Sequence, residues 1–222
     1  MPTLARRFVT SRLGAPAVWL WRRWIDWHER RLNIVTVPQE EDIADDWGPA
    51  RRASGRHGDG RGYSAPDYGN LFRVAKVLDP GPEDVFYDMG SGRGRILCVM
   101  AQRPMKRVVG VELLEGLCEQ ARINAARMRG RRSEVEVCCG DVCKVDLSDG
   151  TIYFYYQPFG PATFAEVLER IRATLETNPR RVRLVDYRSK FEEVLDAADW
   201  LEKYDSFRTR TGAIVSFWRS KG

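Results

Sequence analysis

The stretch Val85-Phe86-Tyr87-Asp88-Met89-Gly90-Ser91-Gly92-Arg93-Gly94 decides the fold. A short apolar run that breaks into three glycines, each separated by one residue, reads as a buried strand ending in a tight turn. Residues 93–103 continue as a helix. Downstream the same alternation repeats. Strands are expected at 107–112, 135–139, 151–156 and 182–187, with helices at 114–129, 161–175 and 190–198 between and after them. Upstream, 68–78 is a helix with Leu71, Val74, Ala75 and Leu78 on one face, stopped by Asp79-Pro80-Gly81-Pro82. Residues 200–208 and 213–218, around Thr211-Gly212, form a hairpin. Strands that alternate with helices pair in parallel through right-handed crossovers. The expectation is an α/β, Rossmann-like doubly wound sheet of seven strands, mostly parallel, closed by an antiparallel hairpin.

Before residue 63 the character differs. Residues 1–37 are rich in Trp and Arg and amphipathic, with Leu20, Trp21, Trp24, His28 and Leu32 on one helical face. Pro38 ends that pattern. Residues 38–62 are acidic, then basic and glycine-rich, and read as a charged loop. The expected division is a helical appendage at 1–37, a loop at 38–62 and a domain at 63–222.

The 222 residues, 43% apolar, can bury a core without metal or disulfide staples. No apolar run reaches the roughly 18 residues of a membrane span. No apolar stretch near the start reads as a secretory signal, so a cytoplasmic protein is expected. The net charge of +5 is unevenly placed. Residues 1–37 hold seven arginines against Asp26 and Glu29, which accounts for all of it. The remainder is electrically balanced, which argues against a nucleic-acid partner. The head suits either packing on the core or another subunit, or peripheral contact with an anionic membrane. Five cysteines, an odd number without a secretory context, are expected as reduced thiols. Cys139 and Cys143 are spaced more widely than the commonest zinc pair, and neither His28 nor His57 is near them in sequence. No metal site is expected.

In an open α/β sheet, ligands bind beyond the carboxyl ends of the strands, at the switch point beside the first strand. Glycines there let the backbone approach a ligand closely. Glu112 ends the second strand, 24 residues after Asp88, and can accept ribose hydroxyl protons. Gly140-Asp141-Val142 follows the third strand, where a carboxylate can accept from an adenine amino group. Dinucleotide binders use G-x-G-x-x-G, and the third glycine would fall at Arg95. A nicotinamide enzyme is thereby disfavoured.

The D-x-G-x-G-x-G pattern, with Glu112 and Asp141 at the next two strand ends, resembles the class I S-adenosylmethionine (SAM)-dependent methyltransferases. The resemblance covers about residues 63–222 and implies SAM as cofactor. It implies that Asp88, Gly90, Ser91, Gly92 and Gly94 surround the methionine part. Glu112, with Leu113 beside it, would hold the ribose, and Asp141 and Val142 would flank the adenine. Asp88 would reach the amino group, or else tie down the glycine loop. Gln157-Pro158-Phe159-Gly160, after the fourth strand, resembles the N/D-P-P-F/Y motif of amino-methylating enzymes. That motif implies that Gln157 and the Pro158 region hold the target nitrogen, with Gln157 also bordering the cofactor, and that Phe159 packs on the substrate. Gln157 departs from the usual Asn or Asp, and one proline is missing. Tyr63-Ser64-Ala65-Pro66-Asp67-Tyr68 resembles the segment that closes over SAM in non-SET histone-lysine methyltransferases. With the glycine loop it is similar to bacterial relatives of those enzymes and of the lysine methyltransferases of the ATP synthase c-ring. Tyr63 then serves as a lid residue or packs in the core. Asp186 and Tyr187 close the fifth strand, in reach of a substrate or in a supporting role. The expected reaction is metal-free, in-line methyl transfer to an amine nitrogen, on a protein lysine or a small molecule. O-methylation of a small-molecule hydroxyl and non-catalytic SAM or nucleotide binding remain open.

Overall fold

A computed structural model describes residues 15–37, 57–60, 62–188 and 190–221, with side chains from residue 19 onward. The expectations for 1–14, 38–56 and 61 lie outside the described residues. The first element is helix α1 (Ala15–Leu32). Then come α2 (Tyr68–Leu78), β1 (Val85–Met89), α3 (Arg95–Met100), β2 (Arg107–Glu112) and α4 (Glu115–Arg127). These are followed by β3 (Glu134–Cys139), a 3₁₀ turn (Val142–Lys144), β4 (Ile152–Tyr155) and α5 (Pro161–Thr177). The chain ends with β5 (Arg183–Tyr187), α6 (Glu192–Ala197), β6 (Leu201–Arg208) and β7 (Ile214–Ser220).

The seven strands form one sheet in the order β3-β2-β1-β4-β5-β7-β6. The first five are parallel, and β7 runs antiparallel to both β5 and β6. Every strand lies within two residues of its expected bounds at either end. Helices were less sharply bounded: α3 starts two residues later and ends three earlier than expected, because glycine and Arg93 belong to the turn.

Side chains alternate across the sheet as the two-residue strand period requires. Phe86, Val108, Ile152, Phe154, Val185 and Phe217 enter one core, under α1, α2 and α3. Tyr87, Met89, Val109, Tyr153, Tyr155, Leu184 and Trp218 enter the other, under α5 and α6. Within the second core Phe164 stacks on Phe191, centroids 4.0 Å apart.

Two expectations require correction. The first concerns α1. Its buried stripe is Ile25, His28, Glu29 and Leu32, whereas Leu20, Trp21 and Trp24 are exposed. With four tryptophans spread around it, the helix is apolar on more than one face, so periodicity alone could not choose the inner one. The structure turns it so that His28 stacks on Tyr68 at 4.7 Å and lies beside Phe72. Burial, with Arg31 nearby, lowers the pKa of His28 and favours the neutral ring. The second concerns the thiols. Cys118 of α4 and Cys139 at the end of β3 form a disulfide, with Cα atoms 5.8 Å apart. Cys98, Cys138 and Cys143 remain free. Only the packing of α4 over β3 brings those two sulfurs together, and spacing along the chain carries no sign of it.

Candidate active site

β1 stands between β2 and β4, so the loop after it opens where the connections leave the sheet in opposite directions. Gly90 and Ser91 N–H groups both donate to the Val111 carbonyl, at 2.8 and 3.0 Å, which folds the loop over the end of β2. Gly90 and Gly92 have φ of 95° and 52°. Both also stand where a Cβ has no room: it would lie 2.3 Å from Pro158 Cβ at Gly90 and 2.2 Å from the Tyr63 ring at Gly92. The loop is therefore clamped between two residues remote from it in sequence.

Glu112 anchors the same loop. Its Oε2 accepts from Gly92 N–H at 2.9 Å, and its Oε1 accepts from Leu113 and Leu114 N–H at 2.9 and 3.1 Å. Asp141 Oδ1 accepts from Cys143 N–H at 2.9 Å and starts the 3₁₀ turn. A single cleft gathers Tyr63, Gly90, Gly92, Glu112, Leu113, Asp141, Val142, Gln157, Pro158 and Phe159. These ten were all singled out from the sequence.

Asp88, Ser91 and Gly94 stand apart from its walls. Asp88 is fully buried, and neither of its oxygens has a hydrogen-bond partner among the described residues. Burial, then the nearby Glu112 carboxylate, holds its carboxyl well above the usual range. Ser91 Oγ is likewise buried and unpartnered among the described residues. Gly94 caps α3 and faces Ala121 of α4.

The strand-four end is strained. Gln157 has φ 51° and Arg188, after β5, has φ 90°, and both side chains are far larger than glycine. Such backbone costs about 1–3 kcal/mol and persists only where the surroundings impose it. Arg188 Nη1 lies 3.4 Å from Gln157 Oε1, and its guanidinium stands over the Tyr156 ring at 5.6 Å. Tyr156 meets Tyr187 edge-on at 4.8 Å. Asp186 is not in the cleft: it is fully buried and accepts from Phe191 N–H at 2.9 Å.

Tyr63 is packed as well as placed at the cleft. Its ring covers Gly92 and its hydroxyl donates to the Thr36 carbonyl at 2.6 Å. Sequence reasoning missed the residues that hold this corner. Arg95 donates to Thr36 Oγ1 at 2.7 Å, the Pro66 carbonyl at 3.1 Å and Glu29 at 3.2 Å. It thereby ties the head and the Tyr63 segment to the start of α3. Asp59 accepts from Thr163 N–H and hydroxyl at 3.2 and 2.6 Å, capping α5 from a hundred residues away. His57 pairs with Glu166 at 2.6 Å. Although far apart in sequence, His57, Cys143 and Glu166 place ligating atoms within 4.8 Å of one another. Burial and the adjacent Glu166 and Asp141 carboxylates push the Cys143 thiol up to about 12. For Asp59 and His57 no local motif exists; only Asp-Gly and His-Gly dipeptides mark a turn.

Residues 86–186 match the family described as "Methyltransferase domain". The chain is 38% identical over 89 residues to a protein-L-isoaspartate O-methyltransferase from Aeropyrum pernix, covering 39% of this chain and 33% of that one. It is 31% identical over 83 residues to a protein-lysine N-methyltransferase from Saccharolobus islandicus, covering 36% and 50%. The chain thus spans half or less of the length of these curated relatives. Among solved structures, it is similar to an RNA methyltransferase from Salinibacter ruber in complex with S-adenosyl-L-homocysteine. That likeness has 25% identity and a TM-score of 0.52, over 71% of this chain and 94% of that one.

Proposed function

We propose, from the premise that residues 86–186 form a class I SAM-dependent methyltransferase domain, that the chain methylates an amine nitrogen. The catalytic domain in this reading is 63–222, and the acceptor is a protein lysine or a small amine. The observation that carries the amine reading is Gln157, held in left-handed backbone at the cleft wall beside Pro158 and Phe159.

The residues present fit SAM. Asp88 and Ser91 offer buried polar atoms without partners among the described residues, beneath a glycine loop that leaves no room for side chains. Asp88 suits the amino group, Glu112 the ribose, and Asp141 with Val142 the adenine. Leu113 is exposed at the rim, where an apolar side chain gains from being covered. When bound, SAM supplies a methyl group on a sulfonium, which passes to the acceptor by in-line displacement.

The chain's own part is positioning. Gln157 Oε1 accepts a hydrogen bond from the target N–H, which aims the nitrogen lone pair along the reaction axis. Tyr156 and Phe159 wall the acceptor, and electron-rich rings favour a nearby cation. Arg188, close to Gln157, disfavours a second positive charge and so promotes loss of the ammonium proton before transfer.

Incubation of the full chain with methyl-labelled SAM tests this, using lysine-containing peptides, small amines and hydroxyl compounds as acceptors. Transfer to nitrogen is expected, with Gln157→Ala lowering kcat about a hundredfold and leaving SAM affinity within about twofold. Transfer to oxygen, or SAM binding without turnover on every acceptor, would overturn the reading.

A further inference from the structure

α1 carries two stripes. Ile25, His28, Glu29 and Leu32 face the domain. Leu20, Trp24 and Trp27, spaced by four and three residues, form a second apolar line, with Trp19 and Trp21 near it. These five side chains are between 38% and 61% exposed. Contiguous apolar surface of this kind on a folded domain marks a contact site.

The flanking charges narrow the occupant. Arg22, Arg23, Arg30 and Arg31 are all exposed on the same helix, against Asp26 alone. Arg23 lies over the Trp19 ring at 4.8 Å and Arg31 over Trp27 at 5.5 Å. Trp24 and Trp27 stack on each other at 5.9 Å. With ring faces already covered by guanidinium groups and by one another, little face is left for stacking nucleotide bases. A second copy would bring one set of arginines against another, which repel. Tryptophans with arginines beside them match the boundary between acyl chains and anionic headgroups.

We infer that the outer stripe of α1 docks on the surface of an anionic lipid bilayer. The tryptophans and Leu20 enter the headgroup boundary and the arginines pair with lipid phosphates. The helix lies on the membrane rather than crossing it: no helix among the described residues is long and apolar enough to span one. The inner stripe keeps the domain attached. Glu29 pairs with Arg95 at the start of α3, so the docked helix is joined directly to the corner that holds the cleft. The net positive charge of the chain is carried by residues 1–37, the remainder being balanced, so attraction is local to this end.

Full-length protein mixed with vesicles tests this by sedimentation and tryptophan emission. Two compositions are needed: phosphatidylcholine alone, and phosphatidylcholine with phosphatidylglycerol. Anionic vesicles are expected to bind at least about tenfold more tightly, with a blue-shifted emission and weakening at high salt. The triple variant Leu20→Ser, Trp24→Ser, Trp27→Ser is expected to lose at least about tenfold. Arg22→Glu with Arg23→Glu is expected to lose roughly thirtyfold. All five side chains are exposed, and an unchanged unfolding midpoint verifies that the variants fold. Equal binding to both vesicle types, no binding, or wild-type binding by the triple variant would overturn the proposal. So would a lipid-free dimer, or an acidic-protein or single-stranded RNA complex, that the triple substitution abolishes while vesicle binding is absent.

Discussion

Asp186 shows how a buried acid in this fold makes stability depend on pH. It closes β5 fully buried, with Oδ2 accepting from Phe191 N–H and Oδ1 unpartnered among the described residues. Burial raises its pKa from 3.8 to about 6, against the opposing pull of the Phe191 and Lys190 backbone N–H groups. Between those two values the folded chain keeps a proton that the unfolded chain has released. Its contribution to stability therefore falls as the pH rises through this window and is level above it. Two units correspond to about 3 kcal/mol. Asp186→Asn keeps an acceptor for Phe191 and removes the titration. Its unfolding temperature between pH 4 and pH 6 should therefore decline less than that of the parent, and above pH 6 it should be the higher of the two. Parallel curves would show that Asp186 does not titrate there. Such a residue was visible in sequence only as the acid at the end of an apolar run. Its burial follows from β7, which pairs Ser216 against it from the far end of the chain.

At the scale of elements, Arg95 joins α1, the Tyr63 segment and α3. It occupies the place where a dinucleotide-binding turn has its third glycine, so the residue that excluded one reading of the loop also built another. Its guanidinium is buried, stands over the Tyr68 ring at 4.8 Å, and pairs with a nearly buried Glu29. Glu29 also accepts from Thr36 N–H at 2.9 Å. Removing one partner of such a pair strands the other, at about 3–5 kcal/mol. Arg95→Met and Glu29→Gln should each lower stability by about that much, and the double variant should cost clearly less than the sum. Denaturant unfolding of the four proteins measures this, and additive costs would show that the pair is not coupled. The strands and the cleft-lining glycines, acids and Gln157 were legible because each is local: a run, a turn, a strand end. Arg95, Asp59 and His57 were not, since their roles depend on partners 29 to 109 residues away. The inner face of α1 was misread for the opposite reason, an excess of apolar signal.

At the scale of the whole molecule, the chain separates its tasks. The net positive charge lies in residues 1–37 of the sequence and the exposed tryptophans of the described residues in α1, the cleft lies at the carboxyl edge of the parallel strands, and the β6–β7 hairpin completes the sheet. The Cys118–Cys139 disulfide acts on a different state altogether. It closes a segment with a sequence separation of 21 that folding would otherwise have to assemble from a freely fluctuating chain. The conformations it removes are those of the unfolded ensemble, which is worth about 3 kcal/mol for a loop of this size. Reduction, or Cys118→Ser, should lower the unfolding temperature by roughly 10 °C, read by calorimetry with and without a thiol reductant. An unchanged midpoint would mean that the bond constrains nothing that matters. The arm it fastens runs from the helix after Glu112 to the strand before Asp141. The two loops expected to hold the nucleoside thus share one covalent hinge, and their spacing becomes sensitive to the redox state of the surroundings.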